Sequence, residues 1–155
     1  MKKLIALGLV AASLVAATAA VELRPVGFRT IARGSHSGTT HRAEFVVRDA
    51  RTWRRLWGRL QRAVPQPRLP RVDFSHYMLI AVTQGQQNTG GYSIRVKSIG
   101  EDSRRLHVTV AERAPGQYCV TPQLLTEPWV VVRLTRSAKP VVFTRQRTVY
   151  DCPPY

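Results

Sequence analysis

Acidic side chains are scarce in this chain. Its 155 residues hold nine aspartates and glutamates against 24 lysines and arginines, a formal net charge of +15. No two of the nine stand out as the carboxylate couple that flanks a glycosidic bond in a glycoside hydrolase. Histidine is sparse too: His36 and His41 lie five apart with no third ligand at a telling distance, so the clustered donors of a zinc site are missing. There is no Gly-x-Ser-x-Gly nucleophile elbow. Asp73, Ser75 and His76 are neighbours, but a catalytic triad is assembled by geometry, not by adjacency. The Lys-Ser/Thr that completes a phosphate-cradling P-loop is absent as well. The sequence therefore predicts a protein that is not an enzyme, with no cofactor and no metal.

Cysteine is limited to Cys119 and Cys152, without Cys-x-x-Cys spacing or a neighbouring histidine that would favour a reactive thiol. Long apolar runs are equally rare. The longest, Leu4 to Ala17, follows Lys2 and Lys3 and is shorter than the roughly 20 residues a membrane-spanning helix takes. Ala17-Thr18-Ala19 then offers the small residues a signal peptidase needs. Residues 1–20 read as a cleaved secretory signal, and no cysteine follows it to suggest a lipoprotein. The expected location is periplasmic or secreted, with no membrane span. In an exported chain the even pair Cys119 and Cys152 is expected to close a disulfide that pins the C-terminal tail to the body.

What remains, residues 21–155, is about 135 residues, ordinary for a single globular domain. Losing Lys2 and Lys3 lowers its net charge from +15 to +13, most of it arginine. Two readings of that charge stand side by side. The arginines are a solvated surface, or they meet an acidic protein, an anionic envelope polymer or a membrane surface. Nucleic acid would also suit such a charge, but export lowers that role, and no nucleic-acid partner is expected.

Periodicity predicts a β-rich chain with one helix. Asp49 is a good N-cap, and Trp53, Leu56, Trp57 and Leu60 form a single apolar stripe among arginines. Pro65, Pro67 and Pro70 end the helix and force an extended connector. Val26–Ala32, Ala43–Arg48, Met78–Thr83, Tyr92–Lys97, Leu106–Val110, Trp129–Leu134 and Val141–Thr144 read as strands, with a hairpin at Glu101-Asp102-Ser103. The expected fold is α+β: a small, largely antiparallel β domain with one amphipathic helix packed on the sheet.

The most distinctive string is the polar, glycine-rich loop from Gln84 to Tyr92. Its glycines either merely make a turn or let the backbone be presented to a partner. Together with Val72-Asp73-Phe74-Ser75, the strand Leu106–Val110 leading into Ala114-Pro115-Gly116, and Thr126-Glu127-Pro128-Trp129 before a valine run, the string Thr89-Gly90-Gly91-Tyr92 carries a resemblance. Residues 72–144 resemble the C-terminal domain of PrcB, an accessory subunit of a bacterial surface protease complex. The resemblance implies a non-catalytic domain that stabilises or modulates a protease partner, here an exported one. Asn88–Tyr92 and Glu127-Pro128-Trp129 are also similar to two loops of chagasin-type cysteine-protease inhibitors, although the first lacks their proline and the second has Glu127 where arginine is usual. The expected partner-binding residues are Asn88, Thr89, Gly90, Gly91, Tyr92, Pro128 and Trp129, with Trp129 as a partly exposed anchor or, alternatively, the first residue of a buried strand.

Overall fold

The computed structural model describes residues 22–61 and 65–153; the leader assigned to residues 1–20 lies outside them. Eight strands and one helix follow in the order β1 (Arg24–Pro25), β2 (Phe28–Gly34), β3 (Arg42–Val47), α1 (Ala50–Leu60), β4 (Tyr77–Gln84), β5 (Ser93–Glu101), β6 (Leu106–Pro115), β7 (Trp129–Thr135) and β8 (Val141–Tyr150). They form two four-stranded sheets, β1-β5-β6-β8 and β2-β7-β4-β3. All pairs are antiparallel except β6 and β8, which run parallel. The α+β fold expected from the sequence is present, with a second sheet added to the arrangement.

The second sheet explains the strand patterns. Met78, Ile80 and Val82 of β4 and Val130, Val132 and Leu134 of β7 meet Ile94, Val96, Ile99, Leu106, Val108 and Val110 of the opposing sheet. The alternate residues Leu79, Ala81, Trp129 and Val131 point the other way, onto α1. A strand buried on both faces reads as an unbroken apolar run, as Met78–Val82 and Trp129–Val132 do. The outer sheet has one wet face, so β5 and β6 alternate buried and open positions.

Helix α1 lies across the inner sheet for reasons visible in its own sequence. Asp49 caps it, accepting from the Thr52 backbone N–H at 2.8 Å. Trp53, Leu56, Trp57 and Leu60 are its buried stripe. The two tryptophans also hold the proline connector that follows: Trp53 Nε1 donates to the Pro70 carbonyl and Trp57 Nε1 to the Pro67 carbonyl, each at 3.0 Å. Proline cannot donate to a ladder, but its carbonyl is a free acceptor, and here the helix supplies the donors.

Asp102 organises the β5–β6 hairpin. Its Oδ1 accepts from the Arg104 and Arg105 backbone N–H groups at 2.6 and 2.7 Å, and its Oδ2 faces His107 Nε2 at 2.7 Å. The His107 contact, followed by the two backbone donors, lowers the Asp102 pKa from an ordinary 3.8 to about 2. A carboxylate with a depressed folded pKa contributes stability that is complete above its ordinary value and is lost as pH falls through the folded one. The Arg104 and Arg105 amide resonances should therefore titrate with a midpoint near 2, and in Asp102→Asn this titration should vanish. A midpoint near 3.8 in the parent protein would contradict the cap.

Candidate functional site

Three chain segments converge at one end of the sandwich. The loop 85–92 is a crossover from the inner sheet to the outer one, between β4 and β5. The loop 116–128 crosses back, from β6 to β7, at the same end. They are tied together by backbone: Gln87 N–H donates to the Thr126 carbonyl at 2.7 Å, Thr126 N–H to the Gln87 carbonyl at 3.0 Å, and Gly90 N–H to the Pro122 carbonyl at 2.8 Å. Thr126 Oγ1 adds a bond to the Thr89 carbonyl at 2.8 Å. The third segment, 34–41, joins through Glu127 N–H to the Ser35 carbonyl at 2.6 Å and Gln86 N–H to the Thr40 carbonyl at 2.9 Å.

The glycines of the first loop have definite tasks. Gly91 adopts φ +85°, a left-handed conformation that favours glycine, and a Cβ there would lie 2.8 Å from the Tyr150 hydroxyl. That hydroxyl donates to the Gly91 carbonyl at 3.1 Å. Gly90 is buried against the Pro122 ring. The loop is thus a pinned crossover, and Asn88 stands exposed at its tip.

The C-terminal tail locks the second loop. Cys119 and Cys152 are bonded, closing a separation of 33 residues, and Gly116 N–H donates to the Tyr150 carbonyl at 2.8 Å. The disulfide expected from the sequence is present. On this braced loop Tyr118 is 64% exposed, Val120 81% and Leu125 56%, with Leu124 also open and Val149 of β8 exposed nearby in the chain's path to Cys152. Of the large apolar side chains exposed among the described residues, most belong to this loop or its disulfide-linked strand. Single exposed apolar side chains are ordinary, whereas contiguous exposed apolar patches mark interaction sites.

The seven residues expected from the sequence divide. Asn88 and Gly91 are exposed, Thr89 and Tyr92 half-buried, and Gly90, Pro128 and Trp129 buried. Trp129 is only 2% exposed. It opens β7 on the helix-facing side, and its ring meets Trp57 edge-on at 6.2 Å. The ring is therefore part of the core, not a partly exposed anchor. Its Nε1 has no hydrogen-bond partner among the described residues, because it packs directly onto Gly34: a Cβ there would fall 2.7 Å from it. Tyr92, Pro128 and Trp129 do come together, lining with Gly34 and Ser35 a shallow cavity of about 390 Å³. Tyr118, Val120, Leu124 and Leu125 were missed by sequence reasoning, since apolar residues in an irregular loop carry no period that says whether they face out.

The hydrolase constellation does not assemble. Ser75 Oγ and Asp73 Oδ2 both lie 2.8 Å from the same nitrogen, His76 Nδ1, and Ser75 Oγ also lies 2.5 Å from Asp73 Oδ1. A triad needs the two ring nitrogens to serve different partners. The three side chains form an exposed turn, in which bonds from Ser75 and His76 lower the Asp73 pKa to about 2. Glu112, the one fully buried carboxylate among the described residues, is paired with Arg145 of β8 and, at 3.1 Å, with Arg42 of β3, tying the two sheets together. Among the described residues no three His, Cys, Asp or Glu side chains are placed to hold a metal ion, and no helix is long and apolar enough to cross a membrane.

Compared with known proteins, residues 78–135 match the family model described as PrcB C-terminal. The resemblance read from the sequence is borne out over that range, inside the 72–144 first assigned. No curated protein and no solved structure matches the chain. The matched segment runs from β4 to β7, the two inner strands of each sheet; the edge strands and α1 lie outside it.

Two substitutions probe this end. Gly34→Ala forces its Cβ into the Trp129 indole and should destabilise the protein by about 1–3 kcal/mol, read by chemical denaturation together with the near-ultraviolet signal of the tryptophans. Replacing Cys119 and Cys152 with serine should lower stability by about 3–4 kcal/mol through the freed 33-residue loop, with faster amide exchange at residues 116–126. Unchanged exchange there would show that the hydrogen bonds alone hold the loop.

Proposed function

We propose that residues 21–155 form one exported, non-catalytic domain that binds a protein partner through the loop end of the sandwich. An exported or envelope protease is the kind of partner the PrcB C-terminal match favours. The observation that carries this is the surface of Tyr118, Val120, Leu124 and Leu125, held beside Asn88–Tyr92 on a loop braced by a disulfide. Preorganisation of this kind lowers the ordering cost of binding. In this reading Asn88, Thr89 and Tyr92 supply polar contacts at the rim. Gly90, Gly91, Pro128 and Trp129 shape the surface from beneath.

A stable disulfide fits a periplasmic or secreted setting. The shared use of one histidine nitrogen by Asp73 and Ser75 supports a role without catalysis.

The test is capture of a partner from the cell envelope by the tagged mature protein, washed in roughly 0.3 M salt to screen surface charge. Tyr118→Ser combined with Val120→Asp and Leu125→Asp should reduce recovery of a defined protein at least about tenfold while the thermal midpoint stays within a few degrees. Asn88→Ala should weaken it less, and Trp129→Ala should act through loss of folding stability. Retained capture by the folded triple variant would exclude this surface. Recovery of nothing but salt-labile polyanions would shift the function to docking on anionic envelope polymers or a membrane surface.

A further inference from the structure

Each sheet ends in two edge strands, and β8 is the longest of the four, ten residues against two in β1, seven in β2 and six in β3. Its sequence, Val141-Val142-Phe143-Thr144-Arg145-Gln146-Arg147-Thr148-Val149-Tyr150, is rich in β-branched and aromatic residues that suit an extended strand. It pairs with β6 on one side, and among the described residues no strand pairs with the other. Such an edge presents a row of free backbone donors and acceptors.

Positive charge is drawn toward this edge across the outer face of its sheet. Lys97 of β5 reaches over β6 to donate to Gln146 Oε1 at 2.9 Å. Arg113 of β6 lies over the Tyr150 ring of β8, 4.6 Å from its centroid. Lys97 is the extra residue of a β-bulge between Val96 and Ser98, which turns two consecutive side chains outward. Lys97, Arg95 and Arg113 line an open depression of about 480 Å³ beside Gln146 and Thr148, and no carboxylate lines it. Glu112, the acidic residue of this stretch of β6, points inward and is held by Arg42 and Arg145. Arg147 of β8, in register with Glu112, belongs to the opposite face and takes no part in this cluster.

A second copy of this chain would set like charges against like at that edge, at a cost. An acidic strand would meet complementary charge. We propose that β8 accepts an extended, acid-rich segment of the partner protein as a fifth strand of the outer sheet, with its carboxylates over Lys97 and Arg113. Strand addition gives affinity through backbone bonds and specificity through alternate side chains. The proposal rests on the reading that the partner is a protein, and it adds a second contact, away from the loop end.

The experiment uses the full mature chain and a ten-residue peptide alternating glutamate with valine or threonine. Binding should slow amide exchange within residues 141–150 by at least about tenfold, with little change at 116–126. Lys97→Ala combined with Arg113→Ala, both surface changes, should weaken binding about tenfold and leave the fold intact. A matched peptide with proline at every second position keeps much of the charge but cannot pair, and should give no β8 protection. If the proline peptide binds equally well, or if inorganic polyphosphate reproduces the effect of the acidic peptide, attraction is by charge alone and the proposal is overturned. Loss of partner capture in the Tyr118/Val120/Leu125 variant but not in the Lys97/Arg113 variant would overturn this inference while leaving the proposed function standing.

Discussion

The structure depends on one sheet being covered on both faces. Strands β4 and β7 lie at its centre, with one set of side chains against the outer sheet and the other against α1. Burying both faces of a strand removes about twice the apolar area that a half-wet strand buries, and each large aliphatic side chain fully buried contributes roughly 1.5–3 kcal/mol. The requirement propagates outward. The helix must bring Trp53 and Trp57 to the inner sheet, the proline connector must pass where their indole N–H groups find acceptors, and Gly34 must be glycine because Trp129 occupies the space its side chain would take.

This division of labour bears on the family match. The matched range supplies the inner pair of strands in both sheets, together with the two crossovers that meet at the loop end. The helix, the edge strands and the disulfide partner Cys152 lie outside it. The loop end is therefore a composite: its crossovers lie within the matched range, and the strand and tail that brace them lie beyond it.

The arginine excess also divides when seen in three dimensions. Some arginines are internal ties. Arg48 donates to the carbonyls of Ser137 and Lys139, Arg136 to those of Arg48 and Phe74, and Arg145 bridges Glu44 and Glu112 across the open side of the sandwich. A guanidinium presents several donors in a fixed fork, so it can satisfy carbonyls from two segments where an ammonium is a point charge. Others, on the exposed side of α1 and on the outer sheet, remain at the surface. The internal ties belong to neither of the two readings that composition offered, since their donors are satisfied within the fold.

Local order was written in the sequence, because local order depends on residues close in the chain. The helix with its Asp49 cap, seven of the eight strands, the 101–103 hairpin and the pairing of the two cysteines were legible from spacing and residue type, whereas β1 and the second half of β8 were not. So was the polar loop at Asn88–Tyr92, through its paired glycines. Long-range arrangement was not. A continuous apolar run says that both faces are covered but not by what, so the second sheet and the parallel β6–β8 pair appeared only in the fold. Trp129 shows the same limit, since a tryptophan before a valine run serves equally well as an exposed anchor or a core residue until the register assigns its face. The exposed residues of 116–126 lie in a loop without a period, and the cations that lean toward β8 come from two different strands. Those features are set by which distant segments pack together, and that was decided by the tertiary structure alone.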